Sequence, residues 1–468
     1  MEGNIFAQAT ALLTRMSNSK KIALSFFTVI MIGFLLLSLP MSQVETSQAT
    51  YFDHLFITVS AVCVTGLFIE SIHDSYNVFG QIVLMCLIQI GGLGLMSFIS
   101  IIYFRIGQSI GIRNQMAVSD ALNNSSLYNI KEWLTKIFKY TFIIEGIGAL
   151  LFATFFIPEL GFKQGLFTSV FMAVSAFCNA GFDPLSNISM VPYQEVGLIN
   201  WTIMALIVLG GIGFSVWFDV TDRIKDAYRT KAKNGHKQFL RKLLPQTKLS
   251  VTITASIIVI GTLLFLIVEW NNQGTVGHMS VGDKVMTAMF QTITMRTAGF
   301  ASIDYTLMHP ITMLIFILTM FIGGSPGGTA GGVKTTTFAL VIMMVLREIR
   351  QQENINYAKH TIPLTIVRKA LVIFVVYITL LIFGSGLILL FDSDVSYLTI
   401  LFETISAIST VGVTANLTAN LSQASQVILM ILMFVGRIGP MTMFVALLPK
   451  TNNHKSNIQY TETNIIIG

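Results

Sequence analysis

SAFCNAGF, residues 175–182, gathers small residues around one glycine, and variants of it recur as SAVCVTGL at 60–67, TMRTAGF at 294–300 and SAISTVGV at 406–413. The glycines Gly66, Gly181, Gly299 and Gly412 lie 115, 118 and 113 residues apart. Self-similarity at a fixed period decides architecture before local propensity does. Anchored on these glycines, Ser60, Ser175 and Ser406 align, as do Ala61, Ala176 and Ala407, and Cys63 matches Cys178. A second glycine cluster follows each of them: IGGLG at 90–94, LGGIG at 209–213, IGGSP at 322–326 and VGRIG at 435–439. Two clusters in phase four times define a repeated unit.

The sequence around the clusters is that of a membrane. With 53% hydrophobic and 11% charged residues, the chain falls outside the range of soluble domains. Apolar runs at 22–39, 78–104, 140–157, 197–218, 249–268, 310–346, 371–391 and 426–449 mostly reach the roughly 20 residues that a hydrocarbon core requires. Eight spans are expected, the first a retained helix and not a cleaved leader. Each small-residue cluster lies at the end of a mildly apolar stretch too short to cross, so the unit reads as helix, half-entering loop, helix. Non-helical backbone at membrane depth survives only when it is buried in protein or lines a watery path. Four such loops around one axis make a pore. Extended backbone with inward carbonyls replaces the water shell of a cation, and glycine permits the torsions that aim those carbonyls. The short helices point their partially negative C-termini at the same cavity.

Charge sets the expected orientation. Of the 29 Lys and Arg, only Lys163, Lys284 and Arg296 fall in the loops at 40–77, 158–196, 269–309 and 392–425. Lys334 and Arg437 lie inside apolar runs, and the others flank the opposite ends of the spans. The positive-inside rule then puts both termini in the cytoplasm, and the net charge of +6 is a topology signal that requires no nucleic-acid partner. The basic stretch from Arg223 to Lys248 reads as positive-inside charge, with anionic lipid or a cytoplasmic protein as alternative partners. Arg296 would repel a permeating cation and is expected to turn outward into the protein, towards Glu403 or Asp53. Three cysteines with no metal spacing imply neither disulfides nor a metal centre.

The single-glycine loops, LIQIGGLGLM, SAFCNAGF, RTAGF, the glycine-rich third downstream span and FVGRIGP resemble the Trk/Ktr/HKT superfamily of potassium transporters over essentially the whole chain. The resemblance is strongest to the ion-translocating membrane subunit of bacterial Ktr systems, KtrB or KtrD type. It implies an all-α integral membrane fold of four M1-P-M2 repeats, with eight transmembrane helices and four re-entrant pore loops around one pore. The units are placed at 20–113, 134–240, 247–352 and 366–450, with a cytoplasmic tail at 451–468. It implies K⁺ uptake across the bacterial plasma membrane by a homodimer, one pore per protomer, under the control of a cytoplasmic RCK-type nucleotide-binding ring (KtrA/KtrC-like). K⁺ is the transported ion, Na⁺ a candidate activator, and no cofactor is expected. The filter carried over comprises Val64, Thr65 and Gly66; Asn179, Ala180 and Gly181; Thr297, Ala298 and Gly299; and Thr410, Val411 and Gly412. Glycine rather than serine at position 66 favours K⁺ over Na⁺.

GGSPGGTAGGVKTTT, residues 323–337, interrupts the 37-residue third downstream run. A Walker A loop needs Lys directly after Gly, whereas Val333 separates Gly332 from Lys334 and no strand precedes, so nucleotide binding fails on spacing. The resemblance makes this segment an intramembrane gate, formed by Gly323, Gly324, Ser325, Pro326, Gly327, Gly328, Thr329, Ala330, Gly331, Gly332 and Lys334 and extending to Thr337. Arg437 aligns with Gly92, Gly211 and Gly324, so a cation replaces a small residue at mid-membrane; intramembrane charges usually mark the ion path, and Arg437 is expected to form a positive barrier beneath the filter. The seven histidines form no HExxH and face no carboxylate pair, which leaves catalysis without support. A Na⁺-coupled symporter, or a less selective K⁺/Na⁺ transporter, is the alternative, because symporters also use repeats and broken helices.

Overall fold

The computed structural model describes residues 16–94, 97, 98, 100, 101, 130–185, 189–229 and 242–447. The expected tail, the far ends of three of the expected units and part of the basic stretch after Arg229 lie outside the described residues.

In chain order the helices are α1 (Asn18–Leu37), α2 (Tyr51–Cys63) and α3 (Val78–Leu93); α4 (Ile130–Leu160), α5 (Phe162–Cys178), α6 (Gly197–Gly211) and α7 (Phe214–Arg229); α8 (Pro245–Glu269), α9 (Val281–Thr294), α10 (Pro310–Phe321) and α11 (Thr335–Ile349); and α12 (Leu364–Phe391), α13 (Tyr397–Ile408), α14 (Gln423–Ile438) and α15 (Pro440–Leu447). A two-stranded hairpin, Asn356–Tyr357 with His360–Thr361, joins α11 to α12.

Helices α1, α4, α8 and α12 are each long and apolar enough to cross a membrane. The helices that follow them, α2, α5, α9 and α13, have 13, 17, 14 and 12 residues. At about 1.5 Å per residue even the longest falls short of a hydrocarbon core of about 30 Å. Their starts are fixed locally. At α2 the Thr50 hydroxyl accepts from Asp53 N while the Asp53 carboxylate accepts from Thr50 N at 2.7 Å, a reciprocal capping box.

Eight spans are expected, the third downstream run interrupted at 323–337, and the described helices show further breaks. Of the described helices four cross alone, and at most six if the bent pairs α6–α7 (96°) and α14–α15 (99°) each count as one span. The expected runs 78–104, 197–218 and 426–449 all break at the last glycine of their second cluster: Gly94, Gly213 and Gly439 have φ of +81°, +95° and +93°. Only glycine holds that torsion without strain, and a right-handed helix cannot continue through it. The third run stops at Phe321 and resumes at Thr335. Apolarity carried through these breaks, which is why composition read as continuous helix.

Packing closes a ring. Helix α3 lies against α5, α6 against α9, α10 against α13, and α14 returns to α2. Each broken helix thus packs on the short helix of the next segment, and the last packs on the first. The short helices are buried towards their C-terminal ends, whereas the long ones turn apolar residues outward, with Leu150, Ile267 and Leu390 exposed by 71%, 76% and 77%. An apolar belt around a polar-lined centre is the inverse of a soluble fold and suits a lipid surround.

Candidate ion pathway

The site begins where the short helices end. Val64, Asn179, Thr297 and Thr410 take left-handed torsions, with φ of 55°, 61°, 70° and 53°. Three of the four are β-branched, for which such torsions cost about 1–3 kcal/mol each. The next amide bonds back to the helix in each case: Thr65 N to Ser60 O, Ala180 N to Ser175 O and Val411 N to Ser406 O at 2.8 Å, and Ala298 N to Thr294 O at 2.9 Å. The chain then leaves through Gly66, Gly181, Gly299 and Gly412, whose φ values are 101°, 71°, 87° and 94°. The aligned serines hold this exit. Ser60 and Ser406 hydroxyls accept from Gly66 N and Gly412 N at 3.1 Å, and Ser175 accepts from Phe182 N at 3.0 Å. In the third loop Thr294 takes the serine's place and donates to Phe300 O at 2.8 Å.

The four exits form one closed circuit. A methyl group added to Gly66 would fall 2.5 Å from Ala180 O, on Gly181 2.6 Å from Ala298 O, on Gly299 2.7 Å from Val411 O, and on Gly412 1.9 Å from Thr65 O. Each glycine therefore makes room for the carbonyl of the next loop, and the twelve candidate filter residues are brought together. The hydroxyls of Thr65, Ser409 and Thr410 and the Asn179 amide are buried there with no hydrogen-bond partner in the protein. Of these, the Thr410 hydroxyl lies against Gly331 and the Asn179 amide against Gly211, so both face the layer beneath the circuit.

Directly beneath lies the glycine-rich segment, which runs from Ile322 to Lys334; Thr335–Thr337, expected in the loop, form the first turn of α11. Its backbone is pinned to α6 by Ser325 N to Gly211 O (2.9 Å) and Thr329 N to Gly210 O (3.1 Å), and Gly327 O accepts from Phe214 N at 3.0 Å. It reaches the loops above through Gly331 N to Thr297 Oγ1 (3.2 Å) and Thr329 Oγ1 to Phe177 O (3.0 Å). Lys334 Nζ donates to Ala330 O at 2.6 Å, folding over its own loop.

Arg437 bridges this segment to the first glycine cluster: its guanidinium donates to Thr329 O, to Gly91 O at 2.6 Å and to Gly92 O at 3.0 Å. Below them opens a cavity of about 470 Å³ whose lining includes Gly92, Ser97, Pro326, Lys334 and Arg437 and no acidic residue.

These two levels, a circuit of glycine-spaced carbonyls above and an arginine-tied glycine loop below, are what the comparison with known proteins must explain. The TrkH family, described as cation transport protein, matches residues 4–456. The chain belongs to the TrkH family. Relatives include the Ktr system potassium uptake protein B of Bacillus subtilis, 37% identical over 97% of both chains. Another is the potassium/sodium uptake protein NtpJ of Enterococcus hirae, 34% identical over 97% of this chain and 98% of that one. The crystal structure of the potassium transporter TrkH from Vibrio parahaemolyticus shares the fold at a TM-score of 0.69 and 19% identity, covering 91% of this chain and 84% of that one. These relatives of this TrkH-family chain are ion transporters and not enzymes.

One expectation about charge is corrected. Arg296 is buried and turns into the protein, but it meets neither Glu403 nor Asp53. Its guanidinium donates to Thr254 Oγ1 at 3.2 Å and to Gly323 O at 3.4 Å, so it ties α8 to the start of the glycine-rich segment. Asp53 serves its own helix cap and Glu403 accepts from Thr418. One cluster was missed although Glu145, an acidic residue inside the apolar run 140–157, signals it: Gln89 of α3 donates to Glu145 of α4 at 3.2 Å, and Cys178 of α5 donates to Gln89 at 3.4 Å. The meeting of these three residues from three separate apolar helices is legible only once the helices are packed.

Proposed function

We propose that this chain takes up K⁺ across the plasma membrane of a bacterium, through a filter built by four M1-P-M2 units with both termini in the cytoplasm. The observation that carries the reading is the circuit in which each of Gly66, Gly181, Gly299 and Gly412 accommodates the next loop's carbonyl. A spherical ion stripped of water needs oxygen ligands from several sides, and the residues from Val64–Gly66, Asn179–Gly181, Thr297–Gly299 and Thr410–Gly412 are the donors in this reading. The segment from Gly323 to Gly332 with Lys334 acts as the gate, and Arg437 holds it shut. A second protomer and an RCK-type cytoplasmic ring complete the system in this reading; the word system in the name of the Ktr relatives supports a partner subunit.

The test is growth of a K⁺-uptake-deficient bacterium in low K⁺, expressing the chain with and without an RCK partner and beside Gly66→Ser. Rescue weakened by Gly66→Ser is expected. Absence of rescue despite membrane insertion would remove K⁺ as the substrate. A less selective K⁺/Na⁺ transporter is the second reading, favoured by the potassium/sodium uptake name of the Enterococcus relative. Equal uptake of the two ions by the unmodified chain would select it.

A further inference from the structure

Two short helices carry buried polar side chains that stand outside the carbonyl circuit. On α13, Glu403 is 0% exposed and accepts a hydrogen bond from the Thr418 hydroxyl, with the Thr414 hydroxyl and Ala415 N also directed at its carboxylate. Thr418 is held from the far side as well, because Gln426 of α14 donates to its carbonyl at 3.0 Å. On α9, Gln291 is likewise fully buried, donating to Ser302 Oγ at 2.9 Å and accepting from the Tyr305 hydroxyl at 2.8 Å.

Ser302 and Thr418 belong to the returning segments that follow Gly299 and Gly412, so each filter triplet hangs between its helix end and a return tied to the same helix. The two ties meet, since the ring of Tyr305 lies 5.9 Å from that of Phe402, the neighbour of Glu403. A carboxyl in such a place is costly unless its bonds repay desolvation, and among the described residues it has no cationic partner. The matching positions of the first two short helices are apolar or bonded locally. Nine residues before their glycines stand Ile57 and Met172, and eight before stand Thr58, which donates to His54 O of its own helix, and Ala173.

We propose that Glu403 is a positioning residue for ion selection. The Glu403–Thr418 link, continued through Phe402 and Tyr305 to Gln291–Ser302, braces the third and fourth loops as one body and fixes the height of the Ala298 and Val411 carbonyls. This rests on the filter reading above. A filter whose carbonyls keep a set spacing ranks ions by size, and one whose return segments slacken loses that ranking before it loses flux.

The experiment reconstitutes the full chain, Glu403→Ala, Glu403→Gln, Thr418→Val and Glu403→Ala/Thr418→Val in vesicles and measures uptake of K⁺, Rb⁺ and Na⁺. Glu403→Ala and Thr418→Val should each reduce the uptake ratio of the preferred ion over its competitor about tenfold, the worth of one strong buried hydrogen bond. The double variant should match Glu403→Ala, and Glu403→Gln, which still accepts from the hydroxyl, should stay close to the unmodified chain. Should Glu403→Ala not fold, Thr418→Val decides alone. An unchanged ratio in whichever variant folds overturns the brace, and so does a drop that Glu403→Gln reproduces in full, since charge and not the link would then be the cause. An unmodified chain that prefers Na⁺ would end the K⁺ reading while leaving the brace to be judged by the shift in ranking; one that moves no cation would end both.

Discussion

The carbonyl circuit and the layer beneath it are built from the same number of glycine clusters and end in opposite conditions. In the circuit all four loops adopt the same pair of torsions, a left-handed residue and then a positive-φ glycine two positions later. In the lower layer three clusters end alike, at Gly94, Gly213 and Gly439. The third is replaced by a thirteen-residue segment from Ile322 to Lys334, and one glycine position of the fourth carries Arg437. On the proposed reading of filter above and gate below, the difference follows from what each level does. A spherical ion needs equivalent ligands on all sides, which repetition supplies. A barrier that opens needs only one mobile part and one fastening, and four identical parts would have to move together.

The largest expected effect breaks the repetition. At Gly412→Ala the new methyl would stand 1.9 Å from Thr65 O, on backbone at φ +94°, with no flexible side chain to give way. Cation uptake should be lost, because strain of about 3 kcal/mol or more falls on two loops at once. Gly161→Ala is the control: φ is +81° but nothing lies within 4 Å of the added carbon. It should lower stability by about 1 kcal/mol and leave uptake intact. Normal uptake by Gly412→Ala would mean that the circuit is not the conducting element.

A smaller effect is expected one level down. Arg437→Gln removes charge-assisted bonds to Thr329, Gly91 and Gly92 carbonyls, which on the gate reading hold the glycine-rich segment in place. Uptake without a cytoplasmic partner should rise about tenfold, within the range of ordinary coupling energies. A rate equal to that of the unmodified chain would show that the arginine is a structural tie and leaves the gate elsewhere.

The period of the four glycines made the circuit legible in the sequence, since a backbone torsion that only glycine tolerates leaves a residue behind. The lower breaks left the same trace, in the last glycine of IGGLG, LGGIG and VGRIG, but unbroken apolarity on both sides masked them. Length alone exposed the third. The partners of Arg296 and Arg437 were not legible, because Arg437 bonds to main-chain carbonyls, which have no letter in the sequence, and Arg296 to one such carbonyl and to the uncharged Thr254 hydroxyl. A search for opposite charges turned to Glu403 and Asp53 for that reason. The meeting of Glu145 with Gln89 and Cys178 stayed hidden for another: it is a product of helix packing and has no periodicity of its own.

The smallest expected effect sharpens the comparison within the circuit itself. Cys63 and Cys178 occupy matched positions, each the last residue of its short helix and fully buried. Their surroundings differ: Cys178 donates to Gln89, with Glu145 at 3.9 Å, whereas Cys63 has no hydrogen-bond partner among the described residues. Serine is slightly smaller and a stronger donor than cysteine. At Cys178→Ser the hydroxyl enters an existing polar knot, and the exchange should be close to neutral. At Cys63→Ser it replaces a sulfur that has no hydrogen-bond partner among the described residues, and a buried hydroxyl left unpaired costs about 1–3 kcal/mol. A bond back to the carbonyl one turn earlier, at Val59, offsets part of that. Thermal unfolding of the two purified variants should therefore separate by about 1 kcal/mol, with Cys63→Ser the less stable and uptake by both near that of the unmodified chain. Equal unfolding would mean that the second loop draws nothing from Gln89 and Glu145, and that the four loops are alike in energy as well as in backbone.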